Sequence, residues 1–325
     1  MIGGRVQMKG VGGGRKASTI QPDERSRQER RSRDIQKQFN LPSQPRRSLA
    51  EKVFKMKLAL PLHSQLAKHF GANAELAQSV LWFSSIVLGA IACKIVYDLT
   101  KVVSPRMFQS YQGLTREKQM EWDNRGFSTA HAIFCTVAAG YLLYGSDVFS
   151  ESAPYGPVPF RSSIFSYFTI GFSTGYFVAD LAMILWTYPS LGGPEYVVHH
   201  LLSIVSLVLA DYIAHAHFYV LMTLFSEVST PFINFRWYLL TSGMKNSKAF
   251  IYNGLMLVVV WLFARIILFI YFFYHLCTHY DTVSQLYRPG FYFMFVSPPT
   301  LAIMNVFWFY KILAGAFRVL FKRRD

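Results

Sequence analysis

Charged residues are scarce in this chain of 325 residues. Lys, Arg, Asp and Glu together make up 16% of it, whereas a soluble domain usually carries about 25%. The scarcity is uneven, because apolar stretches of roughly 20 residues alternate with short polar ones, and a helix of that length spans a bilayer core of about 30 Å. The composition therefore excludes an ordinary soluble enzyme, a collagen-like chain and a wholly disordered protein.

Cysteine is also rare. The sequence contains three, Cys93, Cys135 and Cys277, and each lies within an apolar stretch. Three scattered cysteines exclude a disulfide framework and a Cys-x-x-Cys metal site. We expect all three to be small, buried, apolar side chains.

Apolar residues are abundant in this chain: 52% of its residues are hydrophobic and 17% are aromatic. Seven stretches are long and apolar enough to be membrane spans; they cover residues 78–99, 126–146, 163–187, 195–213, 217–240, 250–277 and 291–320. The pattern predicts an all-α fold, a polytopic membrane helix bundle of about seven transmembrane helices.

The two ends of the chain differ from this membrane domain, which covers residues 78–320. Residues 1–57 hold fifteen Lys and Arg against five acids and predict a disordered basic tail. Residues 58–77 predict an amphipathic segment lying on the membrane, and residues 321–325 a short basic tail. The Arg-rich run at 25–33 is typical of nucleic-acid or anionic-lipid binding, but we favour a solvated tail and expect no specific nucleic-acid partner.

Orientation follows from the basic residues near the span ends, which concentrate on the cytosolic side. With seven spans, the 100–125 loop, the 241–249 loop and the carboxyl tail share one side and carry eleven Lys and Arg, against two in the opposite connections. This predicts a cytosolic carboxyl terminus. The basic amino tail favours the opposite orientation, although most of it lies too far from the first span to count strongly.

Several ionisable residues lie inside the apolar stretches, where they are costly and mark a functional site or an internal pair. Glu195 and His199 are four residues apart and share a helix face, whereas His200 points about 100° away. One histidine of such a pair can act as a base near neutral pH while the other binds a carbonyl or a carboxylate. The full set of candidates is His131, Asp180, Glu195, His199, His200, Glu227 and Arg265, with Arg236 near the end of its span.

Two of these candidates lie on stretches that favour a polar cavity. Glu227 and Asn234 share a helix face, and Pro231 between them predicts a bend that turns the carboxylate inward. Arg265 needs an acidic partner, and both Glu227 and Asp180 are available. A plain salt bridge or a helix-packing network explains these residues as well as a functional site does.

Two further patterns concern metal binding and helix packing. His131, His199 and His200 with a carboxylate match no zinc spacing, so we expect no metal and no cofactor. Gly171 and Gly175 form a Gly-x-x-x-Gly motif that permits close contact between helices.

Three segments together resemble the TLC-domain family: GYFVADL at 175–181, EYVVHHLL at 195–202 and FSEVSTPFINFRW at 225–237. The resemblance covers roughly residues 75–320. It implies a six-helix core within the bundle, a lipid-sized cavity and residence in the endoplasmic reticulum. Ceramide synthases, one branch of that family, use a paired histidine for acyl transfer from acyl-CoA to a sphingoid base, and His199 and His200 match that pair.

The chain also departs from the ceramide synthases. They carry a further His-Asp and a second Asp downstream of the histidine pair, whereas this chain has Ser226 to Pro231, SEVSTP, in that region. The resemblance is therefore to the small lipid-homeostasis branch of the family rather than to the ceramide synthases.

Two functions follow from the resemblance. The first is binding, sensing or moving a membrane lipid, with His131, Glu227, Asn234, Arg236 and Arg265 as lipid-binding residues. The second is acyl transfer with acyl-CoA as co-substrate, with His199 or His200 as base and Asp180 or Glu227 orienting it. A third hypothesis is that the protein is a scaffold whose polar residues serve only packing. The expected partners are a membrane lipid and the lipid bilayer, and the oligomeric state is left open.

Overall fold

The computed structural model describes residues 62–153 and 156–320, and within these ranges it contains helices and connections but no strand. The expected all-α class is confirmed. The tails predicted at 1–57 and 321–325 lie outside the described residues, and so do the first four residues of the interfacial segment predicted at 58–77.

Thirteen α-helices are numbered here in chain order through the described residues. They are α1 Leu62–Phe70, α2 Ala74–Met107, α3 Gln109–Gln112, α4 Arg116–Gly140, α5 Ile164–Trp186, α6 Pro194–Ile213, α7 His217–Phe225, α8 Thr230–Thr241, α9 Lys248–Trp261, α10 Leu268–Thr278, α11 Tyr280–Val283, α12 Arg288–Met294 and α13 Ser297–Leu320. Short 3-10 turns at Gly71–Asn73, Val158–Phe160 and Ser226–Ser229 and π-helical turns at Tyr141–Gly145 and Leu262–Ile267 supplement them.

Six helical segments of the described chain are long and apolar enough to cross a membrane. They are Leu66–Met107, Arg116–Gly145, Ile164–Trp186, Pro194–Ile213, Lys248–Thr278 and Arg288–Arg318. The segment predicted at 217–240 is helical but is not one of the six, because it consists of α7, a 3-10 turn and α8 in succession. Pro231, in the first turn of α8, cannot donate a backbone hydrogen bond and so favours a break at this point.

Helix starts follow from local hydrogen bonding of the chain. The Ser163 hydroxyl accepts from the Ser166 amide, and the Ser166 hydroxyl accepts in return from the Ser163 amide, which forms a capping box at the start of α5. The Ser247 hydroxyl caps α9 in the same way by accepting from the Phe250 amide. The first turn of α6 begins with Pro194, whose ring favours that position.

Helix α5 is the central helix, and small residues allow its neighbours to approach closely. A Cβ added at Gly175 would lie 2.1 Å from the Ile86 carbonyl oxygen of α2, and one added at Gly171 would lie 2.8 Å from the Ser85 Cβ. A Cβ added at Gly89 of α2 would likewise lie 2.1 Å from the Phe172 carbonyl oxygen of α5. The close contact expected for the Gly-x-x-x-Gly motif is therefore present, and its partner is α2.

The apolar core lies around α7, between α4, α5 and α10. Tyr219, Leu221 and Met222 of α7 are almost inaccessible, as are Leu142 after α4 and Phe272 of α10. The cavities beside this core are small, about 30 and 50 Å³, and the larger polar cavity lies toward the other end of the bundle.

The expectation for the cysteines was correct at two positions and wrong at the third. Cys93 and Cys135 are buried, but Cys277 is exposed. The helical period of α10 directs Phe272 and Leu276 inward and Cys277 outward. In a membrane span the outward face meets lipid, so an apolar stretch does not by itself place a cysteine inside the protein.

Candidate functional site

A cavity of about 400 Å³ opens at one end of the bundle. Its lining comes from the ends at which α4 and α6 begin and α5 and α13 end, together with the first half of α8 and one face of α9. These helix ends meet because successive spans run in opposite directions. The volume falls within the roughly 300–1,000 Å³ of typical small-molecule sites.

Most of the residues singled out from the sequence converge on this cavity. Its lining includes Asp180, His199, His200, Glu227, Asn234, Arg236 and Arg265. They come from three different helices and two irregular turns, so their common position was not evident from their spacing. The apolar part of the lining includes Phe177, Ile184, Leu257, Trp261, Trp308 and Ile312.

Asp180 is the centre of the first polar network. Its carboxylate accepts from the Asn124 side-chain amide at 2.7 Å, from the Tyr176 hydroxyl at 3.2 Å and from the Nε2 of His200 at 2.9 Å. Helices α4, α5 and α6 each contribute to this cluster. Three donors satisfy a carboxylate that is otherwise costly to bury at this depth.

Both ring nitrogens of His200 form hydrogen bonds. Its Nδ1 lies 2.8 Å from the Tyr196 carbonyl oxygen, which can only accept, so Nδ1 carries a hydrogen. Its Nε2 faces the Asp180 carboxylate, and this contact also requires a proton between the two groups. That proton resides on His200 or on Asp180, and the pair is neutral overall in either arrangement. Both nitrogens of His200 are thus engaged, and neither is free to accept a proton from a substrate.

His199 is arranged differently from its neighbour. It lines the cavity and packs edge-on against Trp308, with ring centroids 5.8 Å apart. Its Nδ1 is buried and has no hydrogen-bond partner among the residues described. His199 is therefore the member of the pair that can offer an unused ring nitrogen to a bound molecule.

Of the two acids available to it, Arg265 pairs with Glu227. Its guanidinium donates to the Glu227 carboxylate at 2.7 Å and to the Ser229 hydroxyl at 3.0 Å, and it lies over the Trp261 ring. Both charged residues sit on irregular backbone, Glu227 in the 3-10 turn before α8 and Arg265 in the π-helical turn after α9. π-Turns within helices are frequent at functional sites.

A second group of cations lies closer to the cavity mouth. Arg125 is paired with Glu121 and donates to the Asn234 side-chain oxygen at 2.9 Å. Arg236 donates to the Phe250 carbonyl oxygen and stacks on the Phe250 ring. Neither Arg236 nor Lys311 forms an ion pair with any acid of the described chain, so the mouth carries two positive charges that no carboxylate neutralises.

Asn234 serves a packing role in addition to lining the cavity. Its amide group donates to the Thr129 hydroxyl at 3.0 Å and its oxygen accepts from Arg125, so it ties α8 to α4. The sequence left open whether this residue serves helix packing, and these hydrogen bonds show that it does.

Two candidates lie outside the lining. His131 is buried and stacks on Tyr176 with centroids 3.7 Å apart, which places it behind a lining residue; neither of its nitrogens has a hydrogen-bond partner within the described ranges. The Glu195 carboxylate lies beside Gly193 at the start of α6 rather than in the cavity. A lipid-binding role for His131 stays a prediction.

Sequence reasoning did not single out several polar lining residues, among them Glu121, Asn124, Arg125 and Lys311. The first three were assigned to a loop because the span was expected to begin at residue 126, whereas α4 begins at Arg116. Thr115 accepts from the Lys118 amide as an N-cap, and this Thr-x-x-Lys start was a signal that could have placed them on a helix. No comparable signal in the sequence pointed to Lys311.

Comparison with known proteins assigns this architecture to a family. The family profile described as "TLC domain" matches residues 121–314, which begin within α4 and leave α2 outside. TLC domain-containing protein 4-A of Xenopus laevis is 30% identical over 235 residues, which cover 70% of this chain and 89% of that protein. TLC domain-containing protein 4 of Homo sapiens is 26% identical over 264 residues, 76% of this chain and 92% of the relative.

Proposed function

This chain belongs to the TLC-domain family of multi-pass membrane proteins, and from that premise we propose that it binds a membrane lipid in the cavity and acts in lipid homeostasis. The observation that carries the proposal is the cavity itself, in which an apolar wall and a set of buried charges meet at one end of the bundle. A lipid presents the same combination, a polar headgroup attached to an acyl chain.

The charges favour an anionic headgroup. The pairs Asp180–His200 and Glu227–Arg265 neutralise themselves at the inner end, so they line a polar chamber without adding net charge. Arg236 and Lys311 at the mouth lack such partners among the described residues, and a lipid phosphate is a natural ligand for a guanidinium and an ammonium. We therefore propose a lipid whose phosphate contacts Arg236 and Lys311.

The compartment and the orientation are part of the same proposal. The mouth lies at the end of the bundle that carries the basic 100–125 and 241–249 loops, which the distribution of Lys and Arg assigns to the cytosol. The family resemblance favours the endoplasmic reticulum. The cavity would then receive its lipid from the cytosolic leaflet.

The proposal is tested by native mass spectrometry of the purified protein. Ala316 lines the cavity, so Ala316→Trp should fill it and lower lipid occupancy about tenfold, whereas Ile303→Trp on the outward face of α13 should leave occupancy unchanged. Arg236→Gln should shift the bound lipids from anionic to zwitterionic species. Equal occupancy in both tryptophan variants would refute binding in this cavity.

Acyl transfer is the second candidate, favoured by the His200–Asp180 couple in the cavity wall. Because both nitrogens of His200 are engaged, the base in such a reaction would be His199. Arg125, Arg236 and Lys311 at the mouth would then meet the phosphates of acyl-CoA. Acyl-CoA consumption by the purified protein with mixed amine and hydroxyl acceptors, abolished by His199→Ala, would establish this function; no consumption would exclude it for the acceptors supplied.

A further inference from the structure

Three metal-ligating side chains meet at the end of the bundle opposite the cavity. Glu151 lies in the connection between α4 and α5, His275 lies in the last turn of α10, and His279 follows that helix by one residue. One ligand atom from each lies within 4.8 Å of the other two. His275 and His279 are four residues apart, a spacing that places two imidazoles on one helix face and recurs in zinc sites.

The two imidazoles are held as a pair with the same nitrogen available. Their rings are nearly parallel, at 11°, with centroids 4.0 Å apart. The Nδ1 of His279 donates to the His275 carbonyl oxygen at 3.0 Å, which leaves its Nε2 with a lone pair. The Nδ1 of His275 lies 3.0 Å from the Tyr219 hydroxyl, which can accept its hydrogen and leave the same lone pair on Nε2. Hydrogen bonds of this kind orient metal-binding histidines.

Glu151 lies in a segment that one arginine side chain holds by hydrogen bonds. The guanidinium of Arg161 donates to the backbone carbonyls of Val148, Ser150, Ala153 and Gly156, on both sides of Glu151. One carboxylate oxygen of Glu151 then lies 3.9 Å from the Nε2 of His275 and 3.9 Å from that of His279.

We propose that Glu151, His275 and His279 bind a divalent transition metal ion, with Zn²⁺ as the best match for two imidazoles and one carboxylate. A tetrahedral Zn²⁺ needs its ligand atoms roughly 3.3 Å apart, given bonds of about 2.0–2.1 Å. The Glu151 side chain is 70% exposed and can approach by rotating. The half-buried His279 ring would also have to turn, because the two imidazole planes are nearly parallel and a metal ion lies close to the plane of each ring that binds it. Three protein ligands leave a fourth position for water. His275 is buried and His279 half-buried, so one side of the ion would be shielded and the other open.

The test uses the full chain, purified with a tag that lacks histidine and titrated calorimetrically with ZnCl₂. We expect one Zn²⁺ per chain, and Co²⁺ in its place should show the intense visible absorption of a tetrahedral complex. His279→Ala and Glu151→Gln, both at accessible side chains, should each weaken Zn²⁺ binding at least about tenfold, the lower end of what even outer-shell partners contribute. Tyr219→Phe should weaken it about tenfold by releasing the His275 ring.

Matched controls separate this site from adventitious binding. His215→Ala, in the short α6–α7 connection, and Glu117→Gln, an exposed acid at the start of α4, should leave the Zn²⁺ affinity unchanged. Zn²⁺ should also raise the Tm of the wild-type protein and of both controls but not that of His279→Ala. The proposal is overturned if His279→Ala and Glu151→Gln bind Zn²⁺ as the controls do, or if the wild-type protein binds none.

Discussion

The α2–α5 contact and the cavity represent opposite extremes of packing in one bundle. At Gly175 of α5, a single added carbon would collide with the α2 backbone, whereas at Gly315 of α13 it would meet no atom within 4 Å. Both regions are built from helices that the sequence predicts as membrane spans. The bundle is therefore tightly packed at the α2–α5 contact and open beside the cavity that the buried charges line.

Two pairs of ionisable side chains lie in the walls of the open region. Asp180 with His200 and Glu227 with Arg265 each join two neighbouring elements in the cavity wall. In lipid, an unpaired charge at such a position is costly, so each pair stabilises the open arrangement. Removing one partner therefore tests the open region, and adding one carbon tests the filled region.

The largest effect is expected at the Glu227–Arg265 pair. Arg265→Leu leaves a buried carboxylate without its cation and should lower the free energy of unfolding by about 3–5 kcal/mol. The double variant Glu227→Leu/Arg265→Leu removes both charges and should recover most of that loss, while its bound lipid stays low. Thermal unfolding in detergent measures both. A double variant that is no more stable than the single one would show that the pair does not support the wall.

A matched pair of glycines compares the two regions directly. Gly175→Ala should destabilise the protein by about 1–3 kcal/mol because the new methyl group overpacks the α2–α5 contact. Gly315→Ala should be neutral or stabilise by up to about 1 kcal/mol, since alanine favours the helix and nothing obstructs it. The sign of the change in Tm distinguishes the two. Equal destabilisation by both substitutions would contradict the contrast in packing.

The smallest expected effects are those of substituting the two adjacent histidines. His200→Ala removes a donor from the buried Asp180 carboxylate and should cost about 2 kcal/mol, whereas His199→Ala should cost less than about 1 kcal/mol because the ring makes no hydrogen bond among the described residues. Lipid occupancy should fall in His199→Ala even though its Tm is preserved. If both variants lose the same stability, the division of roles between the histidines is wrong.

Much of the candidate site could be predicted, because charge within an apolar stretch is visible in the sequence. Asp180, Glu227 and Arg265 were identified in that way, and the structure places all three in one cavity. Their pairing could not be predicted. Asp180 and Glu227 were equally available to Arg265 by spacing, and the choice depends on which turn faces the π-helical segment.

Helix boundaries account for the residues that were missed. The polar first turns of α4 carry Glu121, Asn124 and Arg125, which no search for apolar stretches detects. The same limitation applies to the segment at 217–240, where an apolar run predicted one span and the 3-10 turn at Ser226–Ser229 divides it. Hydropathy averages over a stretch and indicates whether that stretch favours lipid or water. It does not indicate where the backbone turns.

Composition and periodicity alone determined that this chain is a bundle of membrane helices with costly charges inside it, since the length of an apolar run and the scarcity of charge reflect the thickness and polarity of the bilayer. Which charges pair, which histidine keeps a free nitrogen and where the cavity lies were decided only by tertiary structure. The reason is that these properties depend on distances between atoms on different helices, and a membrane solvates every outward face alike.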